Sequence, residues 1–258
     1  MTEWNLPQKG KMSGISVHHL VKLVTRSLFF LIATSLYIIS KLRGDGDVFG
    51  GAEDKPVILF VVWLTFAVEI VLRLFPSRLE SVGCQKQFAK NYKPTGEKIP
   101  DRQAWWRTLI MVALWLVGDG AVVLLYLLEV IDAGAVVLWC LALSVLDIVC
   151  ILFFCPFQTF VMKNKCCGSC RIYNWDFIMM FSPLFFVPSP FAVSLAALAA
   201  LLFVVWEVTY RVHPERFAEN TNCSLGCASC KEKLCAHKKQ LRGFLKRLRE
   251  KQLKFNKK

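Results

Sequence analysis

Six apolar blocks punctuate this chain, and the positive charges between them fall almost entirely in alternate connections. The blocks run over 27–40, 56–75, 108–130, 133–154, about 172–189 and 191–208. A helix crosses the hydrocarbon core of a bilayer with about 20 residues, so the second, third and fourth blocks are long enough unaided. The first is short, and Arg26 and Lys41 at its ends are placed to snorkel their charges to the two interfaces. The fifth is irregular: Asp176 and Pro183 interrupt it, and Pro188 and Pro190 close it.

Charge placement converts these blocks into a topology. Lys and Arg concentrate in the N-terminal segment, the 76–107 loop, the 156–171 loop and the tail after Val208. The intervening connections are neutral by comparison, with Asp45, Asp47, Glu53 and Asp54 balancing the 42–55 loop. Cytoplasmic loops of membrane proteins carry this excess of Lys and Arg. The expectation is an all-α integral membrane protein of about six transmembrane helices, multi-pass in the plasma membrane, with both termini cytoplasmic. Blocks five and six must then both cross or both fail to cross. No small-residue cleavage site follows the first apolar run, so the N-terminal segment, with an interfacial helix over its Ile15–Val24 stretch, reads as a retained anchor rather than a signal peptide.

Composition agrees: 55% of residues are hydrophobic before glycine is counted, against about 45–50% with glycine in soluble domains. The net charge of +13 could suggest nucleic acid, but a basic patch for that purpose does not alternate with apolar blocks. The partner these charges imply is the bilayer. Two regions follow, a helix bundle over 1–211 and a basic, cysteine-rich cytoplasmic tail over 212–258. From Lys238 onward the tail reads as an amphipathic helix suited to anionic lipid, with Leu241, Phe244, Leu245, Leu248 and Phe255 near one face.

Eleven cysteines take their meaning from that topology, because cytoplasmic thiols stay reduced and serve as metal ligands or redox groups. Cys223, Cys227, Cys230 and Cys235 form a compact C-x3-C-x2-C-x4-C run. Four thiolates so close together suit an iron–sulfur cluster, with zinc as the alternative, although structural zinc favours two knuckles separated by a longer loop. The first three are similar in spacing to the radical-SAM cluster motif, but the alternating strands and helices of that fold are absent here. A second array, Cys166, Cys167 and Cys170, is preceded by Cys155 and stands among Lys163, Lys165 and Arg171, which favour thiolates. Cys84 in the preceding cytoplasmic loop could complete it, and Cys140 and Cys150 read as small core hydrophobes.

Four carboxylates fall inside apolar blocks: Glu69, Asp119, Asp147 and Glu207. Ionisable groups there are costly and mark function by default. At 1.5 Å per residue, Glu69, Asp119 and Asp147 stand at similar depth, as a cation or proton site would require, and Asp119 and Asp147 are expected to face one another. Glu207 lies near the cytoplasmic boundary beside Arg211. No nucleotide loop, zinc-protease helix or nucleophile elbow is present.

Three functions fit these features. The first is a membrane redox protein whose iron–sulfur cluster relays electrons between an acidic cytoplasmic carrier and a membrane acceptor. The second is a non-catalytic scaffold or assembly protein that gathers membrane subunits, with zinc or thiols shaping its cytoplasmic surface. The third is a cation or metal transporter using the carboxylates. Topology reporters fused after Asp54 and Ile131 should read outside and one after Lys258 inside. An external C-terminus would overturn the cytoplasmic reading of the cysteines.

Overall fold

Helices account for the regular structure of the computed structural model, which describes residues 14–44, 56–76, 82–101, 103–164 and 167–226. Their order is α1 (Gly14–Arg43), α2 (Pro56–Leu74), α3 (Val82–Gln87), α4 (Trp105–Leu127), α5 (Ala133–Leu152), α6 (Asp176–Phe181) and α7 (Pro190–Val212). Short 3-10 and π turns lie between them, and among the described residues the one β-type contact is an isolated bridge between Pro94 and Asn222. Among the described residues, four helices are long and apolar enough to cross a membrane: α1 over Val17–Arg43, α4, α5 and α7. Their outer faces expose Leu28, Leu31, Ile32, Leu116, Val117, Val204 and Val208, as helices in contact with lipid do.

The side-chain pairs fix the directions. α1 and α5 are antiparallel, joined near one end by Arg26 and Asp147 and at the other by Lys41 and Asp132. α2 and α7 are parallel, since the Trp63 indole near the start of α2 donates to Ser194 Oγ near the start of α7 at 3.0 Å. α4 and α5 form a hairpin. At its turn Val130 N–H bonds the Leu125 carbonyl and Glu129 N–H that of Tyr126, with Glu129 left-handed at φ 57°. This pair of bonds is a Schellman closure. Asp132 then caps α5 by accepting from the Ala135 N–H at 2.9 Å.

Two expectations change. The first helix is neither short nor preceded by a separate interfacial helix: it is continuous over 30 residues. Arg26 does not snorkel outward either. It is 1% exposed and turned into the bundle, so the charged turn at its start belongs to the core. The 172–189 block, read from the sequence as an interrupted segment that either spans or re-enters, breaks into a 3-10 turn (Tyr173–Trp175), α6 and a second 3-10 turn (Ser182–Phe186). Pro183, which lacks an N–H, sits where the α-helix gives way. The broken segment still runs antiparallel along α7: Arg171 meets Glu207, Trp175 packs on Phe203 with ring centroids 5.4 Å apart, and Val187 is buried beside the turn into Pro190. Phe177, Phe181 and Leu184 from this segment join Phe66, Ile70, Ala196, Ala199 and Leu202 in the main core.

Helix ends gather on one face among the described residues. The starts of α1 and α4 and the ends of α2, α5 and α7 lie there, covered by α3 and the 88–101, 163–175 and 213–226 segments. Uncharged amides lace this cap together. Asn222 is fully buried; its Nδ2 donates to the carbonyls of Lys86 and Arg216 at 3.1 and 2.8 Å, and its Oδ1 accepts from the N–H of Ser224. Asn220 Oδ1 accepts from the Asp101 N–H, Gln87 Nε2 donates to the Gly168 carbonyl, and Asn174 Nδ2 donates to Gln87 Oε1. Trp206 at the end of α7 packs edge-on against Phe88 and Phe217.

The far end of the α1–α5 pair is the place to test pH. Lys41 Nζ lies 2.6 Å from Asp132 Oδ2, and the Tyr37 hydroxyl donates to the same oxygen at 3.3 Å. Close approach is enforced at Gly134, where an added Cβ would stand 2.8 Å from the Tyr37 ring. Burial pushes the Asp132 carboxyl up, but Lys41, the Ala135 N–H and Tyr37 outweigh it and hold the group below the usual carboxylate range. A carboxyl depressed in the folded state stabilises the fold above its unfolded value of about 4, and that contribution fades as pH falls through the folded value. Below about pH 4 the thermal midpoint of the wild type should therefore drop more than that of Asp132→Asn. Equal acid sensitivity would show that the contact contributes nothing.

Candidate functional site

Charged side chains inside the bundle collect where α1, α2, α5 and α6 meet. The i, i+4 spacing of Lys22 and Arg26 puts both on one face of α1, and Glu69 and Arg73 share a face of α2 for the same reason. Arg26 NH2 lies 2.5 Å from Glu69 Oε2, its NH1 3.3 Å from Asp147 Oδ2, and NH1 also donates to the Ser144 carbonyl at 2.8 Å. Lys22 Nζ stands 3.5 Å from Glu69. Arg73 pairs with Asp176 at 2.6 Å. Aromatic rings complete the lining: the Phe177 ring lies between the two guanidinium groups, 5.8 Å from that of Arg26 and 4.7 Å from that of Arg73.

This network is balanced. Lys22, Arg26 and Arg73 face Glu69, Asp147 and Asp176, and both arginines are at most 2% exposed. An isolated charge in such a medium carries a desolvation penalty of several kcal/mol, offset only by a partner in good geometry. The pairing therefore makes charge on these helices compatible with an apolar surround.

Asp119 has a different environment. It is buried, and its three partners are neutral: Trp115 Nε1 and Ser182 Oγ donate to Oδ2 at 2.8 and 2.6 Å, and Trp139 Nε1 donates to Oδ1 at 3.1 Å. These bonds tie α4 to α5 and to the 3-10 turn after α6. The three carboxylates expected at one level are thus held differently, Glu69 and Asp147 on Arg26 and Asp119 among indoles. Asp119 and Asp147 do line one cleft between α4, α5 and α6, with Asp176 also in its wall, of about 410 Å³. Glu207 is bound not by Arg211 but by Arg171, whose two terminal nitrogens lie 2.6 and 2.5 Å from its oxygens and whose guanidinium stacks 3.7 Å over Tyr210. Trp175 Nε1 donates to the same carboxylate at 2.7 Å.

Several of the cysteines take part in the packing. Cys84 on α3 is buried, with Sγ 3.8 Å from the Arg73 carbonyl. Cys155 Sγ accepts from the Gln158 N–H at 3.3 Å, and Cys170 is buried against Met111 and Met162. Cys167 begins a 3-10 turn, Cys167–Ser169, and the exposed Cys223 begins another, Cys223–Leu225. α3 packs against both turns. Cys166, Cys227, Cys230 and Cys235, and the tail helix from Lys238, lie outside the described residues. Among the described residues, no three His, Cys, Asp or Glu side chains converge as a metal site would require. A second cleft of about 380 Å³ opens in the cap, lined by Arg107, Lys163 and Arg171 but also by Asp101 and Glu219.

The chain matches no family model, no curated protein and no solved structure. Sequence reasoning singled out the intramembrane acids and passed over their partners Lys22, Arg26 and Arg73, and Asp176 with them. The signal was available in the two i, i+4 pairs, Lys22 with Arg26 and Glu69 with Arg73.

Removing one partner from a buried pair leaves an uncompensated charge and costs about 3–5 kcal/mol. Arg26→Ala should lower unfolding stability in detergent by that order. Arg26→Met combined with Glu69→Gln, which restores neutrality, should recover much of the loss. A double variant no better than Arg26→Ala would show that packing, not charge, is what Arg26 supplies.

Proposed function

We propose that this chain is a six-span membrane protein whose basic, cytoplasmic face carries a thiolate-bound metal centre. In this reading α2 and the broken 172–189 segment complete the passage begun by the four long helices, both termini are cytoplasmic, and the membrane is the plasma membrane. The centre is an iron–sulfur cluster on Cys223, Cys227, Cys230 and Cys235, which relays electrons between an acidic soluble carrier and an acceptor in the membrane.

One observation carries it: α3, which bears Cys84, packs against both the Cys167–Ser169 and the Cys223–Leu225 turns. The 167–169 and 223–225 turns, from which the two arrays continue, therefore flank one short helix. Thiolates there would sit close to Lys86, Lys90 and Lys93, which favour the anionic form. The same lysines, with those of the tail, offer a complementary surface to an acidic carrier.

A scaffold or assembly role with zinc or reduced thiols has its own support in the closed interior. Six charges, four of them buried, pair within the bundle and amides lace the cap, which are features of a rigid anchor. Transport through a shared carboxylate site draws less support, because Glu69 and Asp147 already hold Arg26.

Metal content decides between the readings. Protein purified without oxygen should be coloured and contain iron and sulfide, and Cys227→Ser or Cys230→Ser should lose the iron while leaving membrane insertion intact. Stoichiometric zinc without iron would transfer the proposal to the scaffold. Colourless, metal-free protein whose four tail thiols alkylate at once would overturn the metal centre.

A further inference from the structure

Of the carboxylates buried among the long helices, Asp119 differs from all others. Glu69, Asp147, Asp176 and Glu207 each hold an arginine. Asp119 has no cationic partner among the described residues, only the indoles of Trp115 and Trp139 and the Ser182 hydroxyl. Indole N–H groups can only donate, so the pocket is organised around an acceptor on both carboxylate oxygens. A carboxylate offers about four acceptor positions, and these three donors leave one open on Oδ1.

Asp119 belongs to the wall of the 410 Å³ cleft between α4, α5 and α6. No Lys, Arg or His lines the cleft, and every charged side chain that does is an acid. Asp147 and Asp176 are paired with Arg26 and Arg73, which leaves Asp119 as the one acid of the wall without a cationic partner among the described residues. Apart from Gln158, Tyr173 and the two indoles, the rest of the wall is apolar or carries sulfur, with Met111, Leu143, Met179 and Met180 among its residues. The flanking Leu114 and Leu146 are 49% and 55% exposed on the outer faces of α4 and α5, so the cleft is approached from the side that lipid covers.

We propose that this cleft binds a lipid-soluble organic cation, an ammonium or phosphonium with an apolar body, whose charge rests against Asp119 between Trp115 and Trp139. A small inorganic ion is the wrong guest: it keeps its water or demands several oxygen ligands, and the wall supplies one carboxylate without a cationic partner among the described residues. A large, weakly hydrated cation loses little on leaving water, gains from aromatic neighbours and fills a cleft of the size small-molecule sites occupy. The proposal goes beyond the metal centre and is independent of it.

The test uses the full-length protein in nanodiscs and radiolabelled tetraphenylphosphonium, with neutral tetraphenylmethane as competitor. Saturable binding at one site per chain is expected, weakened tenfold or more in Asp119→Asn and not displaced by the neutral compound. Leu146→Trp, a change on an exposed face, should block the cleft without altering the melting temperature. Absence of saturable binding overturns the proposal, as does equal binding by the wild type and a folded Asp119→Asn, or displacement by tetraphenylmethane. If Asp119→Asn does not fold, unimpaired binding by folded Leu146→Trp overturns it.

Discussion

Arg26 lies at the centre of this protein in a physical sense. It reaches from α1 to Glu69 on α2, to Asp147 and the Ser144 carbonyl on α5, and its guanidinium faces rings on α2 and α6. A guanidinium has five donors in a rigid planar fork, and only such a group can address two carboxylates and a carbonyl from one position. Lysine at this place would offer a point charge and leave part of the arrangement unmet. Arg73 repeats the device between α2 and α6, sharing the Phe177 ring with Arg26. The apolar surfaces of these helices account for contact; the arginines specify which helices meet and at what register.

The cap is held by different means. Its segments meet through asparagine and glutamine side chains whose partners are backbone groups and other amides. Such bonds carry no net charge and are little affected by salt, which screens exposed ion pairs within about 10 Å. A surface rich in Lys and Arg can thus change its ionic surroundings without disturbing the scaffold that presents it.

Much of this architecture could be read from the residues. The apolar blocks and the alternating positive charge gave the helices and the shared face of their ends, because hydrophobic length and charge placement are local properties. The reach of α1 back to Gly14 was not legible, since Lys22 and Arg26 look like interfacial anchors until Glu69 and Asp147 are known to face them. The break at Pro183 was visible, but its use, placing Ser182 on Asp119, depends on a contact 63 residues distant. Depth along each helix singled out Glu69, Asp119 and Asp147. It could not say which had an arginine, because that depends on how each helix is rotated about its axis.

The ion network also has a consequence for how the chain is made. When only α1 and α2 have emerged from the ribosome, they bring Lys22, Arg26 and Arg73 against the single acid Glu69, a surplus of two positive charges. The balancing acids arrive much later, Asp147 on α5 and Asp176 on α6. Seating such a pair fully in hydrocarbon at that stage would carry the penalty of unpaired guanidinium groups. Final seating of the first two helices is deferred until the fifth and sixth elements are synthesised. The order of residues along the gene thereby becomes a timetable for assembly, in which the oldest part of the chain is the last to settle.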